Sequence, residues 1–186
     1  MPITRSAGAQ QQALRRRGRP GRDQPRGSGD PAGSPGRSIA LIQPTSTAPY
    51  RREITWSVFD EKANRVANLL LGRGLKKGQK VAILLMNCLE WLPIYFGILK
   101  AGAVAVPLNF RYTAQEIEYC VKLADADVLF FGPEFIGRVE AIVPKISQQM
   151  LLFFVGDTCP PFAEDYHRAT ANCSSHGPKG AHRRRG

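Results

Sequence analysis

The stretch GILKAGAVAVPLNFRYT, residues 97–113, decides how this chain is read. It is glycine-punctuated and nearly uncharged, and admits three readings: an active site, a membrane span or a scaffold corner. The 18 residues 91–108 hold one charge, Lys100. A lysine at the centre of a span costs about 2.5 to 3.5 kcal/mol on insertion scales, and Pro93, Gly97, Gly102 and Pro107 interrupt the run. A buried helix ending at Gly102 and a buried strand over residues 103–108 account for the same residues without that cost. Pro107 is then tolerated near the strand's end or on an unpaired side.

Working outward, the same alternation repeats. KVAILL (residues 80–85) is a continuous apolar run of strand length, as expected of a strand covered on both faces. Residues 57–71 place Phe59, Ala63, Val66 and Leu70 at spacings of four, three and four, which predicts an amphipathic helix. Thr55 or Ser57 caps it, and Gly72 and Gly74 stop it. Asn87 followed by Glu90 reads as a capping box opening a helix to about Lys100, with Leu89, Leu92, Phe96 and Leu99 on one stripe of a helix apolar nearly all round.

Thr113 and Glu116 form a second capping box, before a helix whose buried face is Ile117, Val121 and Ala124. Cys120 falls on the same apolar stripe. DVLFF (127–131) and LLFFV (151–155) are strands, with helix from 133 to about 143 between them; IALI (39–42) and REIT (52–55) are short runs ahead of the repeat. Strands alternating with helices in steps of about 25 residues predict an α/β fold, a mostly parallel sheet flanked by helices.

The 186 residues are enough for one domain with a core. The net charge of +11 suggests a nucleic-acid or membrane partner, but its placement argues otherwise. Ten Lys/Arg face two Asp/Glu in residues 1–52, whereas eleven face ten in residues 53–155. The foldable part is near neutral and the basicity lies at the ends, so a basic-tailed nucleic-acid binder is the weaker reading. Residues 1–36 are rich in Gly, Pro and Arg and read as a disordered segment, although an Arg-rich, acid-poor start also resembles a transit peptide. Residues 37–157 form the folded domain, and residues 158–186 read as a disordered tail.

Cys88, Cys120, Cys159 and Cys173 include no C-x-x-C pair and no secretory signal precedes them, so a reducing, cytoplasmic setting is the default. Cys159, Cys173, His167, His176 and His182 follow no common zinc spacing.

An open α/β sheet binds its ligand at the carboxyl ends of its strands. Here those ends read Met-Asn after residue 85, Asn-Phe-Arg after 108 and Gly-Pro after 131, none of them a glycine-rich phosphate cradle. GRGLKKG (72–78) lacks phosphate-loop spacing and lies between a helix end and a strand start, the wrong edge. No Ser/His/Asp or metal constellation occurs in the regular region.

Residues 53–131, with W-x-x-F at the first helix, E-K-A-N-R, G-L-K-K-G-Q-K-V-A and L-K-A-G-A-V-A-V-P-L-N-F-R-Y-T, resemble the amino-terminal portion of the AMP-forming acyl-CoA synthetases, in the adenylate-forming superfamily. The resemblance runs from about Arg37 to about Asp157. Val58 departs from it, where relatives commonly place a Glu that closes the cap; Asp60, three residues after Ser57, is the substitute.

The resemblance implies ATP-dependent activation of a carboxylic or fatty acid to an acyl-adenylate and transfer to the thiol of CoA, with ATP, Mg and CoA as the family's cofactors. The family's phosphate loop resembles S-[SG]-G-T-T-G-x-P-K-G. The nearest string here, CSSHGPKG (173–180), lacks the Gly-Thr-Thr core. The expectation is therefore an amino-terminal portion that binds no cofactor and is inactive alone, with no catalytic or metal residue. One candidate ligand contact follows from the resemblance: Arg111, of the N-x-R motif, beside the CoA nucleotide. A solvated loop arginine or a local helix-capping contact is the other reading. The alternative function is a non-catalytic module that pairs with a full-length ligase through an unfinished sheet edge.

Overall fold

A computed structural model describes residues 35–44 and 51–178. All of them belong to one compact unit. Strand β1 (Ile39–Pro44) pairs antiparallel with β2 (Arg51–Thr55) as a separate two-stranded ribbon. Helix α1 (Trp56–Gly72) follows directly, with Thr55 as its cap accepting from the Val58 amide at 3.4 Å. Asp60 does not substitute in that cap. Its carboxylate pairs instead with Lys100 at 2.5 Å and accepts from Asn64 at 2.9 Å, a charge partner outcompeting an exposed cap.

The chain then builds one parallel sheet from β3 (Lys80–Leu84), β4 (Val104–Pro107), β5 (Ala126–Phe131), β6 (Leu151–Phe154) and β7 (Glu164–Asp165), in the order β4-β3-β5-β6-β7. The register sets Val81 opposite Ala105 and Val128, and Phe130 opposite Phe153. Because side chains alternate along a strand, the apolar runs divide cleanly between two cores. Val81, Ile83, Val128, Phe130 and Phe153 face one side. Ala82, Leu84, Leu129, Phe131 and Phe154 face the other.

On the first side lie α1 and α2 (Trp91–Lys100), contributing Val66, Leu70, Ile94 and Ile98. They meet at Gly97, where an added Cβ would stand 2.5 Å from Val66 Cβ and 2.8 Å from the Ala63 carbonyl, so only glycine permits this approach. On the second side lie α3 (Ala114–Leu123) and α4 (Ile136–Glu140), contributing Ile117, Val121 and Val139. Gly102 ends the α2 turn at φ +77°, with its amide donating to Leu99 O and the Ala103 amide to Ile98 O.

Several expectations change. The Asn87–Glu90 capping box does not form: Glu90 is the cap residue, it is helical, and no side chain caps α2. Its carboxylate is drawn inward to two cations instead. The buried face of α2 is Pro93, Ile94, Gly97 and Ile98, set by the close contact at Gly97, while Phe96 and Leu99 are 42% and 45% exposed. Strand β4 is an edge and only half-buried, with Val104 48% exposed, which explains how it accommodates Pro107. Cys120 and Ala124 are half-buried at the margin of α3.

Residues 158–178, expected as tail, continue the fold. Strand β7 extends the sheet beside β6, and α5 (Tyr166–Ala171) buries Tyr166 and Thr170, capped by Asp165, which accepts from the Arg168 amide at 2.7 Å. Arg73 fixes the new edge with a two-pronged contact to Glu164 at 2.8 and 2.5 Å. The expected segment 1–36 lies outside the described residues except for its last two. No helix among the described residues is long and apolar enough to cross a membrane.

Candidate functional site

The sheet order places β4 on one side of β3 and β5 on the other, so successive crossovers leave in opposite directions. A crevice opens at that reversal, beyond the carboxyl ends of the strands. Its volume is about 280 Å³. Residues 85–88, 132–134 and 155–157, the segments leaving β3, β5 and β6, form its floor and walls, and Arg52, Glu90 and His167 close its sides.

Glu90 is the buried charge of this crevice, only 4% exposed. It lies 3.6 Å from the Arg52 guanidinium and 3.8 Å from the Lys62 ammonium, so an ion network compensates its loss of water. Next to it, burial pushes the Cys88 thiol up, and the nearby Glu90 charge adds to the effect. The thiol therefore stays protonated at neutral pH and is a poor nucleophile. Burial, and then the Glu90 charge, likewise push the Tyr166 phenol up. The crevice offers polar groups, a fixed charge and a thiol held in its unreactive protonated form.

Arg111 lies apart from the crevice lining, in the loop after β4. It is exposed, its guanidinium 5.5 Å over the Phe110 ring, and its amide donates to Asn109 Oδ1 at 2.9 Å. It does not cap α3. That role belongs to Thr113 and Glu116, whose capping box is complete: the Thr113 amide donates to Glu116 at 2.8 Å and the Glu116 amide to Thr113 Oγ1 at 3.3 Å. The loop is braced from α4 by Arg138, which donates to the carbonyls of Phe110 and Tyr112, each at 2.9 Å. Sequence periodicity gave no sign of Arg138, because its partners are backbone atoms 28 and 26 positions away.

The GRGLKKG loop sits between α1 and β3, at the amino edge of the sheet. Gly74 and Gly78 both turn it at φ +84°. Its geometry is that of a helix stop and strand entry. Of CSSHGPKG, residues 173–178 are described and run along α1, through hydrogen bonds to its side chains. Cys159 and Cys173 donate to the carbonyls of Ala163 and Ala169, each at 3.3 Å, and among the described residues no group of three His, Cys, Asp or Glu is placed to hold a metal.

The family model described as AMP-binding enzyme matches residues 31–173. A medium/long-chain-fatty-acid–CoA/3-oxocholest-4-en-26-oate–CoA ligase of Mycobacterium marinum is 32% identical over 116 residues, 62% of this chain and 20% of the relative. A crotonobetaine/carnitine–CoA ligase of Shigella flexneri is 31% identical over 126 residues, 68% of this chain and 24% of the relative. Among solved structures, an anthranilate CoA ligase in complex with anthranoyl-AMP superposes with a TM-score of 0.65 at 28% identity, over 67% of this chain and 24% of that one. A Brucella canis acyl-CoA synthetase gives 0.65 at 21% identity over 78% of this chain and 26% of its own, a likeness of fold. The chain thus spans about a fifth to a quarter of the length of the relatives it matches. With the family model matching residues 31–173 and the fold shared with the anthranilate CoA ligase, the chain belongs to the AMP-binding enzyme family, of which it represents the amino-terminal portion.

Proposed function

We propose that this chain is the amino-terminal scaffold of an acid–CoA ligase, an enzyme that activates a carboxylate with ATP to an acyl-adenylate and passes the acyl group to CoA. The observation that carries the reading is the family match over residues 31–173, joined to a sheet of the same fold. Residues 1–186 alone are inactive in this proposal. Stabilising a transferring phosphoryl or acyl group requires aimed amides, hydroxyls and cations, each worth about 2.7 to 4 kcal/mol. Of that set the crevice lining carries the Arg52 cation, already drawn to Glu90, and the CSSHGPKG segment spends its carbonyls on α1. Purified chain with ATP, Mg, CoA and a panel of fatty and aromatic acids should release no pyrophosphate above blank. Acid-dependent release would overturn the inactivity.

Arg111 is the one candidate CoA contact. It is an exposed guanidinium with no carboxylate partner among the described residues, on a loop that Arg138 braces. Retention of the chain on immobilised CoA should fall on Arg111→Ala, and equal retention would remove the assignment.

A second reading, a module that pairs with a full-length ligase, draws support from the half-exposed β4 edge and the exposed Phe96 and Leu99 of α2. It requires a stable complex on co-expression with such a ligase, and separate elution would exclude it.

A further inference from the structure

The outer face of α1 carries a row of polar side chains, Asn64, Arg65 and Asn68, at positions i, i+1 and i+4. None points to another side chain of the segment that crosses it. Arg65 donates to the carbonyls of Ala171 and Cys173 at 2.8 and 2.7 Å. Asn68 donates to those of Ser174 and His176 at 2.8 and 2.9 Å. Asn64 donates to that of Ser175 at 2.8 Å. Three side chains therefore hold five main-chain oxygens within six residues.

Asn64 is the buried member, and every polar atom of its amide is engaged. Its oxygen accepts from Lys100 Nζ at 2.6 Å, and its nitrogen donates to Asp60 at 2.9 Å as well as to Ser175 O. Lys100 belongs to the last turn of α2 and also pairs with Asp60. The row is thus tied to the helix on its other flank.

We propose that this row is a main-chain dock: α1 captures the segment 171–176 by its carbonyls, without reading its side chains, and so fixes the heading of the chain as it leaves α5. The physical basis is the donor inventory. Asparagine amides and a guanidinium offer several fixed N–H groups each, which suits successive carbonyls of an extended or turning strap. The Ser175 and His176 side chains make no hydrogen bond among the described residues, although both carbonyls are held. The letters of CSSHGPKG therefore matter less than its path.

The test is hydrogen exchange of the full chain, read at the amides of Cys173 and His176, which donate to Thr170 O at 3.0 Å and to Ser174 Oγ at 3.2 Å, and corrected for intrinsic rates. Asn68→Asp replaces the donor by an acceptor of the same shape facing two carbonyls, and Arg65→Met keeps the alkyl stem but removes the fork. Each should raise exchange of this segment about tenfold, the effect expected for losing two hydrogen bonds, with exchange of β3 and β5 unchanged. The double variant Ser175→Ala/His176→Ala should stay within about twofold of the parent. Should Asn68→Asp fail to fold, Asn68→Ser, with a shorter donor, carries the same expectation. Parent-like exchange in the α1 variants, or a release of similar size in the double alanine variant, would overturn the dock.

Discussion

Replacing Gly97 by alanine tests the packing on which the fold rests. The new methyl would lie 2.5 Å from Val66 Cβ, 2.7 Å from Val66 Cγ1 and 2.8 Å from the Ala63 carbonyl. Carbon atoms in contact settle at about 3.5 to 4.0 Å, so α1 and α2 must part by roughly 1 Å along a contact where Ala63, Val66, Ile94 and Ile98 are fully buried. Val66 offers little relief, because a β-branched side chain has one favoured rotamer in a helix and its Cβ moves only with the backbone. Overpacking of this kind costs about 1 to 3 kcal/mol, and the rigid neighbours place it at the upper end. The better helix propensity of alanine returns up to about 1 kcal/mol. The net loss is about 2 kcal/mol, which at a urea slope of about 1 to 3 kcal/mol/M lowers the unfolding midpoint by about 1 M. Tryptophan fluorescence from Trp56 and Trp91 reports the transition. Gly137 in α4 is the control, because its added methyl meets nothing within 4 Å; Gly137→Ala should be neutral or stabilising by up to about 1 kcal/mol. A Gly97→Ala variant as stable as the parent would refute the close-approach argument.

The remaining predictions concern local contacts. Thr113→Ala should cost about 1 kcal/mol in urea unfolding by removing the α3 cap, whereas a loss below a few tenths would show the capping box to be idle. The Thr113 amide, then its hydroxyl, hold the Glu116 carboxyl below its usual 4.5. A lowered folded pKa gives stability that is full above the unfolded value and is lost as pH falls through the folded one. The parent's advantage over Glu116→Ala should therefore shrink below pH 4.5, and an advantage that grows on acidification would contradict the assignment. Cys88, its thiol pushed up by burial, should react with iodoacetamide at pH 7.5 more slowly than glutathione in the same solution, as peptide mapping will show; faster alkylation would mark an activated thiol.

Much of this architecture is written in local patterns. VAIL, VLFF and LLFF are uninterrupted apolar runs, and a strand covered on both faces must be one; their alternate residues divide between the two cores as the pleat demands. The Thr113–Glu116 cap was legible because both partners lie within four residues. Asn87 and Glu90 have a similar spacing, yet the Glu90 carboxylate turns to Arg52 and Lys62, partners that spacing does not reveal. The α2 stripe was misplaced for a related reason. With apolar residues on nearly every side, its inner face is set by where glycine admits α1, so Phe96 and Leu99 are left outward. Strand β7 was illegible because it is the dipeptide Glu-Asp, held by main-chain pairing and by Arg73 from 91 positions away. The site was less legible than the fold. The crevice arises from strand order, while Arg138 and the Asn64–Arg65–Asn68 row act on backbone atoms that no motif encodes.

The central functional claim is that residues 1–186 contribute scaffold to acid activation and do not perform it. The most direct measurement is ATP–pyrophosphate exchange, which reads formation of the acyl-adenylate without CoA transfer. Labelled pyrophosphate should enter ATP at the rate of the protein-free blank with every acid in the panel. Acid-dependent incorporation by the purified chain would contradict the account.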